Sequence, residues 1–479
     1  MSQSQDQHPL IDSFFSRLSE PSTLATQNLD HPNYWTSNPS SLLTTSNIQS
    51  VSLGTGNRIL ETLLPALEGA ESEVLFVTCY WAQSDSLNRI ADSLRKLSAR
   101  NLASPKDNKT RVNICFSSSG VWQKLSHPQS RHGRTYPPSQ WSKTLGLPSP
   151  DELQGIDLQV KSVFFLPISI IHPKFVVVDR KLAFLPSCNV SWEEWFEGCV
   201  ELSGPVVQQF VKFWEKFWAD EGDLERLSTN ADSGGSTALS PSPSPALLTH
   251  LSPLNLPQTR TPTLFLPSPH HWNPQFRPLP FQSSPDPPPT PLNTFLLLAF
   301  SSAKKTIQIQ TPNLTSQPAI EALLAALARG VEVRITTSEN LQRIEQVVTA
   351  GTTTGRCVSG LVEAYGRMVE DRRRKGEQDI EEALPSVGRL SVSYYQSQSQ
   401  AGDPQEGGRQ AHDEPVQSHF KLTVIDGEVA VFGSGNLDRA SWFTSQELGL
   451  AFFGTEFVTR VEEGLEASMT GRTKVCFEG

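Results

Sequence analysis

At 479 residues the chain is too long for one small core, and its length alone suggests two or three domains. A hydrophobic content of 37% with 19% charged residues marks a globular chain, and no apolar run approaches the ~20 residues of a membrane-spanning helix. The net charge of −10 argues against a general nucleic-acid binder, which presents a basic surface, and leaves room for a local basic pocket.

The N-terminus, MSQSQDQHPLIDSFFSRLSE, lacks the basic and then apolar order of a secretory signal. Residues 1–45 are rich in Ser, Thr, Asn and Gln and are expected to form a flexible extension. Leu60, Leu63, Leu64 and Leu67 then follow helical spacing, with Pro65 expected to kink or shorten that helix. VLFVTCYW (74–81) reads as a buried strand, Leu87, Ile90, Ala91 and Leu94 as an amphipathic helix, and residues 112–116 as another strand. This alternation predicts a parallel or mixed sheet with helices packed on it.

Residues 46–222 are taken as one lobe, and the Ser/Pro-rich residues 223–260 as a linker too poor in apolar surface to offset its ordering entropy. The alternation restarts in residues 261–479. Strands are expected at 306–310 and 331–335, around a helix striped with Ile320, Leu323, Leu324 and Leu327. Disordered insertions are expected near 276–291, 370–386 and 398–416. The DRRRK run at 371–375 reads as a solvated helix face. FVKFWEKFW (210–218) has the spacing of a helix packed into a core. His270 and His271 read as solvated loop residues, and WQKLSHPQSRHGRTYPPSQW (122–141) as a candidate wall of a substrate pocket. None of the six cysteines has zinc-ligand spacing, so a reducing compartment is the simpler expectation, and neither a metal nor a cofactor is expected.

One stretch occurs twice. SHFKLTVIDGEVAVFGSGN (418–436) aligns without a gap with IHPKFVVVDRKLAFLPSCN (171–189). His419, Lys421, Asp426, Ser434 and Asn436 match His172, Lys174, Asp179, Ser187 and Asn189, and Trp442-Phe443 lies at the offset of Trp195-Phe196. Glu447 and Gly454 keep the mutual spacing of Glu197 and Gly204 after a three-residue shift. Each copy reads as a β-hairpin with the aspartate at or near the turn. Residues two apart on a strand share a face, so each histidine and lysine point the same way, and the return strand brings the serine and asparagine level with them. A basic or nucleophilic imidazole, a cation and two neutral hydrogen-bonding groups together suit a phosphate.

The paired motif resembles the phospholipase D superfamily, whose pattern is HxKxxxxD followed by GSxN, present twice. The second copy matches throughout; the first has Pro186 where the second has Gly433, and proline lacks an N–H that could meet phosphate. The resemblance implies two pseudo-twofold-related α/β lobes, each a mixed β-sheet flanked by helices, with one active site at the lobe interface. It also implies metal-independent phosphodiester chemistry through a phosphohistidine, hydrolysing or transesterifying a phospholipid. By analogy His172 is the nucleophile and His419 the general acid. Lys174, Lys421, Asn189 and Asn436 hold the phosphate, with Ser187 and Ser434 in support. Asp179 and Asp426 are read as turn-holding residues, and Glu197 and Glu447 as groups that orient the histidines. The expected partners are a phospholipid or other phosphodiester and a peripheral membrane surface. Nucleic acid is less favoured, and the chain is expected to be a monomer containing an intramolecular pseudo-dimer, located in the cytoplasm or peripheral to membranes. A nuclease of the same superfamily and a catalytically silent binding protein remain the alternatives.

Overall fold

The structure is a computed structural model of the chain and describes residues 8–27, 33–104, 108–166, 169–220, 249–251, 260–269, 286–378, 386–398 and 414–479. The chain divides into two compact units, Thr45–Arg260 and a second composed of Met1–Thr44 with Thr261–Gly479. Residues 9–18, expected to be loosely ordered, instead form a helix, α1 (Pro9–Leu18). Pro9 suits its first turn, and the His8 ring accepts a hydrogen bond from the Leu10 N–H at 3.3 Å. Leu10, Ile11, Phe14 and Leu18 make a buried stripe that the polar composition around them conceals.

The unit Thr45–Arg260 runs β1 (Leu43–Thr55), α2 (Gly56–Glu68), β2 (Glu73–Tyr80), α3 (Asp85–Ala103), β3 (Thr110–Ser118), α4 (Val121–Leu125), β4 (Ile156–Ser162), β5 (Phe175–Val178), β6 (Leu182–Pro186), β7 (Trp195–Ser203) and α5 (Val206–Phe217). Its sheet has the order β1-β7-β6-β5-β2-β3-β4, parallel from β2 to β4 and antiparallel elsewhere. The parallel strands are separated by helical crossovers, and α2 and α3 bury Ile59, Leu63, Ile90 and Leu94 in the same cluster as Val74, Val112 and Val160. Helix α2 runs through Pro65 to Glu68 and is not shortened. The buried leucines on both sides of the proline, Leu63, Leu64 and Leu67, outweigh one lost backbone bond near the helix end. Helix α5 buries Phe210, Phe213, Trp214 and Phe217, so that aromatic stripe is core.

The second unit continues with β8 (Thr261–Ser268), α6 (Pro291–Ser302), β9 (Thr306–Gln310), α7 (Gln317–Ala328), β10 (Glu332–Thr337), α8 (Arg343–Ala350), α9 (Thr354–Gln378), β11 (Leu390–Tyr395), β12 (Leu422–Ile425), β13 (Val429–Gly433), α10 (Arg439–Phe443), β14 (Glu447–Phe453), α11 (Thr455–Met469) and β15 (Thr473–Glu478). Its sheet order is β8-β14-β13-β12-β9-β10-β11-β15, parallel from β9 to β11. Strand for strand this repeats the other sheet, where the short strand Arg134–Thr135 pairs antiparallel with β4 as β15 pairs with β11. Helix α1 packs on α6, where Phe14 meets Phe295 edge-on at 5.7 Å.

Of the expected linker, Thr249–Leu251 pairs with β1 and residues 221–248 and 252–259 lie outside the described residues. Of the expected insertions, residues 276–285, 379–385 and 399–413 lie outside them too, as do His270 and His271. Residues 370–378 are a correction: they complete α9, where Glu370 pairs with Arg373 and Arg374 at helical spacing. Among the described residues, no helix is long and apolar enough to cross a membrane.

The two repeated hairpins turn identically. Asp179 and Arg180 have φ of 51° and 54°, and Asp426 and Gly427 have 54° and 69°, the positive angles that a tight two-residue hairpin requires. The Asp179 carboxylate accepts from the backbone N–H groups of Glu71, Ser72 and Glu73 at 2.7–3.1 Å. Asp426 does the same with Lys304, Lys305 and Thr306 at 2.7–3.2 Å. Each aspartate thereby fastens its hairpin to the start of the neighbouring strand, β2 or β9. Asp426→Ala is expected to cost about 2 kcal/mol, because charged hydrogen bonds to backbone are lost together with a residue suited to the turn. Thermal denaturation should show this as a fall of about 4–8 °C. An unchanged melting temperature would mean that the carboxylate does not hold the turn.

Candidate active site

The residue before each histidine is anchored near the C-terminal ends of the parallel strands. The Ile171 N–H donates to Ser117 Oγ of β3 at 3.0 Å. Ser418 accepts from Gln310 Nε2 at 2.8 Å through its hydroxyl and from Ser338 Oγ at 2.7 Å through its carbonyl. Ends of this kind are where open α/β sheets place ligands. Sequence spacing gave no sign of Ser117, Gln310, Ser338 or Ser418, because these bonds join segments far apart in the chain.

His172 and Lys174 lead into β5, and His419 and Lys421 lead into β12. In both copies the lysine folds back onto its histidine. Lys174 Nζ donates to the His172 carbonyl at 3.0 Å, and Lys421 Nζ donates to the His419 carbonyl at 2.5 Å. Lys421 Nζ also lies 2.9 Å from His419 Nε2, an arrangement suited to an imidazole that accepts at Nε2. Lys174, His419 and Lys421 are buried, whereas His172 is partly exposed. Lys421 borders a cavity of about 20 Å³ that Leu292, Gln310, Thr423 and Gly433 also line, room for about one water molecule.

The registers Val176↔Phe184 and Leu422↔Phe432 place the serine and asparagine at the same end of each hairpin as the histidine and lysine. Ser187 Oγ makes a short hydrogen bond to Glu197 and accepts the Gly198 N–H at 2.9 Å. Ser434 Oγ donates to Glu447 at 2.5 Å and accepts the Leu448 N–H at 3.1 Å. These bonds cross from β6 to β7 and from β13 to β14. Glu197 and Glu447 are buried, at 2% and 1% exposure, which makes such donors necessary for an ionised carboxylate.

Pro186 does not disturb this arrangement. The Ser187 N–H reaches the Gly198 carbonyl at 2.8 Å, as the Ser434 N–H reaches that of Leu448 at 2.9 Å. The ladder resumes one residue after the proline, so the missing N–H leaves the serine where the second copy has it.

The two copies differ beyond the asparagines. Asn189 accepts the Tyr80 N–H at 3.3 Å, and Tyr80 meets the exposed Trp192 edge-on at 6.0 Å. Burial, then Glu193 and Cys79, pushes the Tyr80 phenol up from its ordinary pKa. Asn436 donates to Asp438 at 2.9 Å, and its buried Oδ1 has no hydrogen-bond partner among the described residues. Asp438 caps α10 through the Ser441 N–H at 2.8 Å. Ser441 Oγ in turn accepts the Asn436 N–H at 3.1 Å and donates to Glu447 at 2.7 Å. The available signal for Ser441 was the Ser-Trp pair followed at equal distance by Glu197 or Glu447, in SWEEWFE and SWFTSQE. The equal-offset match of Trp195-Phe196 with Trp442-Phe443 is not structural: the first pair opens β7 and the second closes α10. The three-residue shift is the short helix α10.

In the segment 122–141, His127 is buried. Its Nε2 lies 2.9 Å from Ser162 Oγ and its Nδ1 2.9 Å from the Pro128 carbonyl. Burial is the main cause holding its pKa below the ordinary imidazole value. These bonds tie His127 to β4 and to its own loop.

Residues 296–469 match the family model described as cardiolipin synthase, PLD-like domain. No curated protein sequence matches the chain. Among solved structures, the phosphatidylserine synthase of Haemophilus influenzae Rd KW20 is similar at 13% identity and a TM-score of 0.52, covering 91% of this chain and 88% of that one. The polyphosphate kinase of Porphyromonas gingivalis aligns over 88% of this chain and 50% of its own, at 9% identity and a TM-score of 0.43. The phospholipase D family member Nuc from Salmonella typhimurium aligns over 38% of this chain and 90% of its own, at 16% identity and a TM-score of 0.24. The family model thus covers most of the second unit, and the fold is similar to that of the phosphatidylserine synthase along nine-tenths of the chain.

Proposed function

We propose that the protein is a phosphodiesterase of phospholipase D type that acts on a phospholipid through a phosphohistidine, without a metal. The observation that supports this reading best is the repeated geometry. In both units a lysine folds onto its histidine, and a buried glutamate takes a serine hydroxyl from the neighbouring strand.

In the proposed reaction His172 attacks phosphorus. The bond from phosphorus to the leaving alcohol breaks, and His419 delivers its proton to that oxygen. Water, or an acceptor alcohol, then gives a proton to His419 and attacks phosphorus, and the P–N bond breaks. One difficult displacement becomes two easier ones, with a proton carrier suited to neutral pH. Lys174, Lys421, Asn189 and Asn436 offset charge on the non-bridging oxygens, the orphaned Asn436 carbonyl being suited to a hydroxyl of the substrate. An anionic oxygen would draw Lys421 from Nε2 of His419, leaving that nitrogen to take up from solvent the proton it then delivers to the leaving oxygen. Glu197 and Glu447 are proposed to position the imidazoles while Ser187 and Ser434 hold the carboxylates.

Purified protein incubated with labelled phosphatidylcholine, cardiolipin and single-stranded DNA tests the reading. Turnover of a phospholipid is expected, with acid-labile, base-stable phosphate on the protein after brief incubation. Turnover of DNA alone would replace the lipid reading with a nuclease, and no turnover of any diester would leave a binding protein.

A further inference from the structure

Residues 119–135 connect β3 to the rest of its unit and carry an unusual surface. Trp122 and Leu125, both on α4, are 84% and 60% exposed, and Leu166 is 44% exposed. The Leu166 N–H donates to the side chain of Gln129 at 2.7 Å, which brings the two loops together. Lys124 lies 5.6 Å from the Phe164 ring, Arg131 and His132 follow in the same loop, and Arg134, in a two-residue strand beside Ser162, donates to the Ser126 carbonyl at 2.8 Å. Between Asp107 and Asp151 the sequence has no acidic residue, in a chain whose net charge is −10. Asp220 lies 4.0 Å from His132 and is engaged by Lys161 at 2.6 Å.

The duplicated fold supplies an independent observation. Helix α8 follows β10 as α4 follows β3, and it exposes Ile344, Val347 and Val348 by 83%, 51% and 52% at the i, i+3, i+4 spacing of one helix face. Its two charged residues, Arg343 and Glu345, balance. Large apolar side chains thus stand out of the surface after the same strand of each sheet. Isolated exposed apolar residues are ordinary, but a Trp with aliphatic neighbours and a ring of Lys and Arg has the composition that settles at a bilayer surface.

We propose that α4 and its loop, with Trp122, Leu125 and Leu166 inserted and Lys124, Arg131 and Arg134 at headgroup level, dock this protein onto an anionic lipid bilayer. The proposal rests on the phospholipid reading for its purpose, and it explains how an acidic protein approaches an anionic surface: its basic charge is gathered where the apolar residues protrude. The aliphatic residues favour lipid over single-stranded nucleic acid, since a base stacks on the indole but gains little from leucine.

Co-sedimentation of the full chain with vesicles of phosphatidylcholine, with and without phosphatidylserine, tests this. The wild type is expected to bind the anionic vesicles, more weakly as salt rises. Trp122→Ala with Leu125→Ala should lower partitioning by about tenfold or more. Lys124→Glu with Arg131→Glu and Arg134→Glu should abolish the preference for phosphatidylserine. Trp122→Phe with Leu125→Met should retain binding, and circular dichroism with thermal denaturation should show every variant folded. A wild type that binds neither vesicle, variants that bind like wild type, or a Trp122 effect confined to single-stranded DNA would overturn the proposal. Vesicle binding is read without turnover. A protein that sediments with lipid and cleaves no diester keeps the docking surface and loses the chemistry; one that cleaves a diester and never sediments does the reverse.

Discussion

His419→Ala is expected to lower turnover by about 10³-fold or more, with His172→Ala equally severe, while melting temperatures change little. The two variants should fail differently. Without the nucleophile, no phosphate becomes attached to the protein. Without the proton donor, attachment survives for a substrate whose leaving group needs no proton, such as a nitrophenolate ester. Transient labelling of the His419 variant with that ester, and none of the His172 variant, assigns the order of the histidines. The reverse pattern would exchange their roles, and wild-type activity in either variant would reject the mechanism. The loss of His419 is not a purely local deletion. Its carbonyl and ring both hold Lys421, so the lysine is left with weaker constraints and part of the loss should appear as a raised KM.

Gly433→Ala should be the most damaging small substitution in the second hairpin. Gly433 has φ of 154°, and a Cβ there would collide with the Leu448 carbonyl and lie 2.7 Å from Gly449 Cα, both on the backbone of the adjacent strand. Backbone cannot swing aside as a side chain can, so β13 and β14 would have to separate where the Ser434 hydroxyl spans them. A loss of roughly 3 kcal/mol or more is expected, combining strain in φ with overpacking. It should appear in denaturant titration as a lower midpoint, accompanied by reduced activity in the protein that remains folded. A midpoint equal to wild type would show that the strand pair yields more easily than its spacing implies. Pro186 holds the corresponding place in the first copy, so only the second copy is expected to show this sensitivity.

The hairpins were legible because their information is short-range. His, Lys, Asp, Ser and Asn recur at fixed spacing, and a strand converts spacing into facing. The α/β alternation was legible for the same reason, through the leucine stripe at 60–67 and the apolar run at 74–81. What escaped depends on partners distant in the chain. The serine-to-glutamate bonds follow from which strand lies beside the hairpin, and spacing within one segment does not state that. The stripe of α1 was hidden by polar neighbours because its four apolar residues matter only once α6 covers them. Residues 370–378 were expected to begin a disordered insertion because they are mostly charged and carry no apolar stripe, and their helical support comes from pairs such as Glu370 with Arg373 and Arg374.

Helix α1 has one more consequence, for the order in which the polypeptide is made. The segment that includes Phe14 leaves the ribosome early, whereas its partner Phe295 is added only after the whole of Thr45–Arg260 has been synthesised. The nascent chain can complete the inner unit while the outer one is still two separated pieces, one of them an apolar helix awaiting its cover. Domains generally form as they emerge, so closure of the outer unit waits for the C-terminal half. Trimming the first 44 residues as dispensable would remove part of that unit's core and leave Phe295 of α6 without its Phe14 cover.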